Sequence, residues 1–353
     1  MVQQIDMNKV EELAGKVIGD VAGAMSLFMA YMGDKAGVFD KLDGQGRVSL
    51  EKAAELTGLN PKYLHQWLGS VCAAGYITYH AEDDSFEITP EQALIMGREG
   101  QPACMQGFIE LLVAQYAAHE KAVETFQTGE GRGWDQHLPC CFNGIDRFFR
   151  PGYEANLVEE WIPALSGVEA KLRDGASIVD IGCGHGSSSI LLAKAFPNST
   201  VYGIDFHEPS IEAARQQARE AGVDNVKFDV ARAQDYSGEG YDFACIFDAL
   251  HDMGDPVGAA RHIRETLKED GTLMLVEPMA GDTMAENMHP LGQIFYAGST
   301  LMCTPASLAQ EVGLGLGAQA GQKRLTEVLN EAGFANVKRA AETPTNMVLE
   351  VTN

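Results

Sequence analysis

The residues with the most chemistry in them sit in Ser177 to Leu192, SIVDIGCGHGSSSILL. An apolar run through Ile178 and Val179 meets an acid, Asp180, and then glycines at alternate positions, Gly182, Gly184 and Gly186. A helical pattern resumes through Ile190 and Leu191, so the stretch reads as buried strand, tight turn and helix. Glycines suit such a turn because the backbone reverses sharply and a ligand can approach where a Cβ would clash. Dinucleotide loops space their glycines G-x-G-x-x-G; here the third glycine comes one residue early and Ser187 stands in its place. Asp180 would repel a pyrophosphate and suits a cationic amino group. The next strand, Val201 to Ile204, ends in Asp205, placed to accept hydrogen bonds from a ribose diol. A further strand, YDFACIF, delivers Asp248-Ala249-Leu250-His251-Asp252-Met253 to the carboxyl edge of the sheet, where open α/β sheets bind ligands.

A ribose without a diphosphate, together with an ammonium, describes S-adenosylmethionine. Strand-D-x-G-x-G-x-G followed by strand-Asp resembles the signature of class I S-adenosylmethionine-dependent methyltransferases. The resemblance implies cofactor contacts from Asp180, Gly182, Gly184, Gly186, Asp205, Phe206, Ala233, Gln234 and Asp248, with Tyr153 of Arg150-Pro151-Gly152-Tyr153 over the methionine end. Relatives carry an acid near the adenine amine. The aligned position here is Arg232, which leaves Gln234 or Asp235 to serve.

The segment LHDMGDP is similar to the H-D-W-x-D stretch of plant O-methyltransferases, in which the histidine takes the acceptor's hydroxyl proton; Met253 replaces the tryptophan. On that resemblance His251 is the general base, with Asp252 beside it, and an imidazole titrates in the range the task needs. The alternative is that His251 shapes the loop or hydrogen-bonds a neutral acceptor. A thiol or thioether acceptor needs less help from a base, or none. O-methylation of a small molecule is therefore the first reading, and S-methylation of a small thiol or thioether the alternative.

Alternating strands and helices around these motifs predict a doubly wound, mostly parallel seven-stranded sheet. Strands fall near 177–181, 200–204, 226–230, 241–247, 271–276, 335–341 and 346–352. The last two are joined only by Glu342 to Thr345, which permits an antiparallel hairpin. Ahead of this catalytic domain, 175–353, stand a winged-helix domain, 1–98, and a helical connector, 99–174. In the winged helix, Ser49 caps one helix that Gly58 ends, Asn60-Pro61 opens the next, and a hairpin turns at Glu82-Asp83-Asp84. The connector is expected to wall the acceptor pocket with Trp134 and His137. A lid, 279–322, would add Asn287, His289 and Tyr296, then a flexible GLGLGAQAG run. In isolation the winged helix suggests DNA reading, but residues 47–90 hold three basic residues against six acids. A wing tip of three acids faces phosphate with the wrong sign. The module resembles the dimerisation domain of small-molecule methyltransferases, and the apolar excess of residues 8–32 is the natural partner surface.

Composition bounds the rest. A chain of 353 residues, 45% apolar, suffices for two domains with sizeable cores. The formal charge of -24 opposes nucleic acid and anionic membranes as partners, and a saline habitat would produce the same sign. The apolar stretch Ala24 to Tyr31 is too short to span a bilayer and lacks the flank and cleavage pattern of a signal peptide. The expected location is cytoplasmic. Seven cysteines without a C-x-x-C pair imply reduced thiols. His119, His137, Cys140 and Cys141 match no zinc spacing, so no metal is expected.

Overall fold

A computed structural model describes residues 5–353. The chain divides into two compact units, the first built from residues up to 117 with 143–151, the second from 118–142 with 152–353. Residues 99–174, expected as a separate connector, are thus shared between the two. One reason is Arg147, whose guanidinium binds Asp34 at 2.9 Å, Glu99 at 2.7 Å and Glu110 at 2.5 Å within the first unit.

In the first unit the helix caps fall where the sequence places them. Ser49 Oγ accepts from Lys52 N, Gly58 ends the helix at φ 74°, and Asn60 caps Pro61–Ala73. Strands β1, Thr78–His80, and β2, Ser85–Glu87, form the antiparallel wing. At the wing Arg47 pairs with Glu82 at 2.8 Å and Asp83 at 3.5 Å, so the one nearby cation is already engaged by the acids.

The N-terminal helix requires a correction. It runs Met7–Lys35, 29 residues, about 43 Å at 1.5 Å per residue. By length and composition it is able to cross a membrane, although Ala24 to Tyr31 alone is not. Its apolar residues lie largely open, with Leu13 at 62%, Ile18 at 70% and Met25 at 58% exposure.

The second unit holds the seven-stranded sheet: β3 Ser177–Ile181, β4 Thr200–Asp205, β5 Val226–Val230, β6 Tyr241–Phe247, β7 Leu267–Pro278, β8 Asn336–Glu342 and β9 Asn346–Thr352. Their order is β5-β4-β3-β6-β7-β9-β8. The first five strands run parallel, and β9 lies antiparallel to both β7 and β8. Side chains alternate between two cores. Val179, Ile181, Ala244, Ile246, Leu273 and Leu275 face one layer, and Ile178, Phe243, Cys245, Phe247, Met274 and Val276 the other. Burial on both faces is why these strands read as continuous apolar runs. The chain order switches at β3, so β4 and β6 lie on either side of it, which is where a doubly wound sheet opens its ligand crevice.

Candidate active site

The turn after β3 is shaped by its glycines. Gly182, Gly184 and Gly186 have φ of 75°, 53° and 80°, the left-handed region that side chains disfavour. Gly182 N and Cys183 N both donate to Ile204 O, at 2.7 and 3.0 Å, which ties the turn to β4. A Cβ on Gly186 would meet Ala214 and the Phe228 ring at 2.8 Å, so that glycine serves packing. A Cβ on Gly184 would meet nothing within 4 Å, which leaves open space over the loop.

Asp205 closes the same loop. Its Oδ2 accepts from Gly184 N at 3.0 Å and its Oδ1 from His207 N at 2.8 Å. Two oxygens carry about four acceptor positions, so a diol can still bind. Phe206 beside it is 47% exposed, a flat apolar face open to a ring.

Asp180 does not sit as expected. It is wholly buried, and Oδ2 accepts from Ser188 and Ser189 Oγ at 2.6 Å each. No oxygen is exposed for an ammonium, so Asp180 holds the first turn of helix Ser187–Ala195 under the loop. Its Oδ1 lacks a hydrogen-bond partner. Burial pushes its pKa up to about 6, opposed by the two serine hydroxyls. A carboxyl whose folded pKa exceeds its unfolded value near 4 binds its proton more tightly in the native state. It therefore destabilises the fold as pH rises from about 4 through 6. Asp180→Asn should flatten that part of the stability curve, by up to about 3 kcal/mol, in melts taken from pH 4 to 7. A slope unchanged from the parent protein would refute the assignment.

At the end of β6 Asp248 adopts φ 49°, a strained value for a side-chain-bearing residue. Asn346 Nδ2 donates to its Oδ1 at 2.7 Å, while Oδ2 is buried and unpartnered. Burial and then the charge of Glu277 raise its pKa well above the carboxylate range. Tyr153 packs its ring on Phe247, 5.0 Å between centroids, and so covers this strand end.

His251 is buried at the head of the next turn. Its Nδ1 lies 2.5 Å from Glu277 Oε2, while Glu277 Oε1 accepts from Leu250 N at 3.0 Å. Nε2 lies 3.4 Å from Asp252 Oδ1. Burial pulls the imidazolium down, but the carboxylates of Glu277 and Asp252 outweigh it and leave the pKa well above its ordinary value. Cys303 stands beside both His251 and Asp252, and one donor atom from each of the three lies within 4.8 Å of the others. These are donor types that zinc accepts, and they are not the residues weighed from the sequence.

Glu277 is the residue of this cluster that the sequence reading passed over. The one signal for it was an acid ending a buried strand, Glu277-Pro278. The GLGLGAQAG run also differs from expectation. Leu314 N donates to Gly254 O at 2.9 Å and Gly317 N to His251 O at 3.3 Å, so backbone hydrogen bonds tie it to the turn that carries His251. Of the lid residues, Asn287 uses its amide on Gly281 and Thr283 of its own turn. His289 caps helix Pro290–Gly298, accepting from Gly292 N at 3.2 Å. Both have local work that accounts for them. Tyr296 is half-buried on that helix. Trp134 and His137 come together, 5.4 Å between rings. Ala233 and Gln234 follow β5, with Gln234 Nε2 reaching Asp255 O at 3.4 Å. Arg232 is engaged by Oδ2 of Asp235 at 2.9 Å.

Residues 172–333 match the family described as a methyltransferase domain. Residues 23–98 match an Rv2258c-like winged HTH domain. The chain is 33% identical over 131 residues to 27-O-demethylrifamycin SV methyltransferase of Amycolatopsis mediterranei (strain S699), covering 35% of this chain and 48% of that protein. The chain spans about half the length of the curated relatives it matches, or less. Among solved structures, the mitomycin 7-O-methyltransferase MmcR superposes with TM-score 0.72 at 19% identity, over 98% of this chain and 100% of that one. Human N-acetylserotonin methyltransferase in complex with SAM gives 0.69 at 15%, over 100% of both. These likenesses show a class I methyltransferase fold with an N-terminal winged helix.

Proposed function

We propose that this protein is an S-adenosylmethionine-dependent methyltransferase that methylates a hydroxyl of a small molecule, with His251 as the base. The observation that carries the reading is a buried carboxyl with an unsatisfied oxygen, Asp248, at the end of β6 beside β3. An unpaired buried acid is costly, and a cationic ligand relieves it. The open space over Gly184 and the diol-facing Asp205 fit the rest of the cofactor. When bound, S-adenosylmethionine supplies an electrophilic methyl group on a sulfonium. The protein's share is alignment and exclusion of water, for which the lid tied to His251 is suited. Glu277 fixes the His251 ring by its Nδ1 and leaves Nε2, beside Asp252, as the nitrogen that takes the acceptor's proton. A positive charge nearby favours the neutral imidazole, which primes His251 to collect the acceptor's proton. The solved neighbours named as O-methyltransferases support oxygen over sulfur as acceptor atom. A screen of small hydroxyl, thiol and thioether compounds for S-adenosylhomocysteine release tests the reading. Turnover confined to thiols or thioethers would replace it by the S-methylation alternative.

The partner of the exposed N-terminal helix is, on this reading, a second copy of the chain. Its apolar face is too large to leave in water, and acids dominate the winged helix, which argues against nucleic acid. Light scattering should give about twice 38.1 kDa, and a chain lacking residues 1–33 should dissociate or aggregate. A stable full-length monomer at micromolar concentration, or association only with lipid vesicles, would contradict this. A cytoplasmic location accords with seven cysteines that include no C-x-x-C pair.

A further inference from the structure

Segment 129–142 carries a charge that its surroundings leave unbalanced. Arg132 is 3% exposed and His137 6%. Arg132 Nη2 donates to Gln136 O at 3.1 Å. Its Nε and Nη1, which bear three of the five guanidinium N–H groups, have no partner. Burial lowers its pKa, and the Cys141 thiol opposes that only in part. His137 lies beside it. Burial, followed by the Arg132 charge, pulls that imidazole down to about 4, so it is neutral at physiological pH. Its Nδ1 is 3.9 Å from Cys141 Sγ, and its Nε2 is buried without a partner. A buried guanidinium without a counter-charge costs several kcal/mol. A ligand that brings an anion removes that cost.

The position of the pair says which ligand. Arg132 N donates to Pro305 O at 2.9 Å, and a Cβ on Gly131 would lie 2.1 Å from Ala309 N, so the segment lies flat against the lid. The same stretch of lid grips the catalytic turn. Ser307 Oγ donates to Met253 O at 2.9 Å and Gln310 Nε2 to Asp252 O at 3.0 Å. At the other end Phe142 stacks on His207, 4.6 Å between rings, two residues beyond Asp205. Arg132 and His137 thus belong to a wall that runs from the cofactor strand edge to the His251 turn.

We propose that Arg132 and His137 form a carboxylate-binding site in the acceptor pocket, so that the molecule methylated is a hydroxy acid. This rests on the methyltransferase reading above. A carboxylate could come from the acceptor or from the methionine end of the cofactor. Anchorage on Pro305 of the lid, away from the glycine loop, assigns it to the acceptor.

The test uses the full-length protein saturated with S-adenosylhomocysteine, with 4-hydroxybenzoate and its neutral counterpart 4-hydroxybenzamide as probes. Trp134, beside His137, reports binding by fluorescence. Benzoate should bind at least about tenfold tighter than the amide, since a charge-assisted hydrogen bond contributes about that much or more. It should also raise the melting temperature where the amide does not, a measurement that needs no variant. Arg132→Gln should abolish the preference and leave S-adenosylhomocysteine affinity unchanged. Equal binding of acid and amide, or a preference that survives Arg132→Gln, would overturn the proposal. A variant that loses S-adenosylhomocysteine affinity while the probes bind as before would move the carboxylate to the cofactor and equally overturn it. Failure of the parent protein to bind S-adenosylhomocysteine at all would instead remove the methyltransferase reading.

Discussion

His251→Gln should lower turnover on a hydroxyl acceptor by ~10²–10⁴ and leave S-adenosylhomocysteine affinity nearly unchanged. Glutamine keeps a hydrogen-bonding group in the ring's place but cannot collect a proton at neutral pH, which separates a base from a spectator. The raised pKa of His251 gives the pH profile its sign. The base works only after it loses its proton, so turnover should climb as pH passes upward through that pKa and then level off. Glu277→Gln removes the largest influence that holds the proton on His251. The rising limb should then move to lower pH, and the plateau should fall because the weaker base takes the proton less well. Stability follows the same sign. A histidine with a raised folded pKa stabilises the fold fully below about pH 6.5, and that contribution is lost as pH rises through the folded pKa. A His251→Gln variant with near-normal turnover on a hydroxyl, or a Glu277→Gln profile that does not move, would make the pair structural.

Asp205→Ala should weaken S-adenosylhomocysteine binding by about 100-fold or more. The side chain accepts from two backbone N–H groups that set the loop, Gly184 and His207. Each hydrogen bond to a charged group contributes about 1.5–3 kcal/mol, and a ribose diol would add its own. Calorimetry on the variant, with its melting temperature as a control for folding, reads the loss. A folded variant of unaltered affinity would mean that Asp205 neither orders the loop nor meets the ribose.

Much of this architecture was legible because its signals are local. The glycines after β3, the acid after β4 and the continuous apolar strands each declare themselves within about ten residues. The caps at Ser49 and Asn60 do the same. Relations across the sheet were not legible. Glu277 lies 26 residues from His251 in sequence, and only the pairing of β6 with β7 brings them together. Asp180 reads as a ligand for a cation, yet Ser188 and Ser189 turn it inward, a choice made by helix packing that no spacing reveals. The GLGLGAQAG run reads as flexible from composition, whereas its N–H groups find carbonyls on the turn that carries His251. Asn287 and His289 have the residue types of a binding site, and local turns engage both.

The central claim is that the crevice beside β3 takes S-adenosylmethionine. Its most direct test is isothermal titration of the full-length protein with S-adenosylhomocysteine and, separately, with NAD. The account predicts saturable binding of S-adenosylhomocysteine at one site per chain and no comparable heat from NAD. Tight NAD binding with no response to S-adenosylhomocysteine would contradict it.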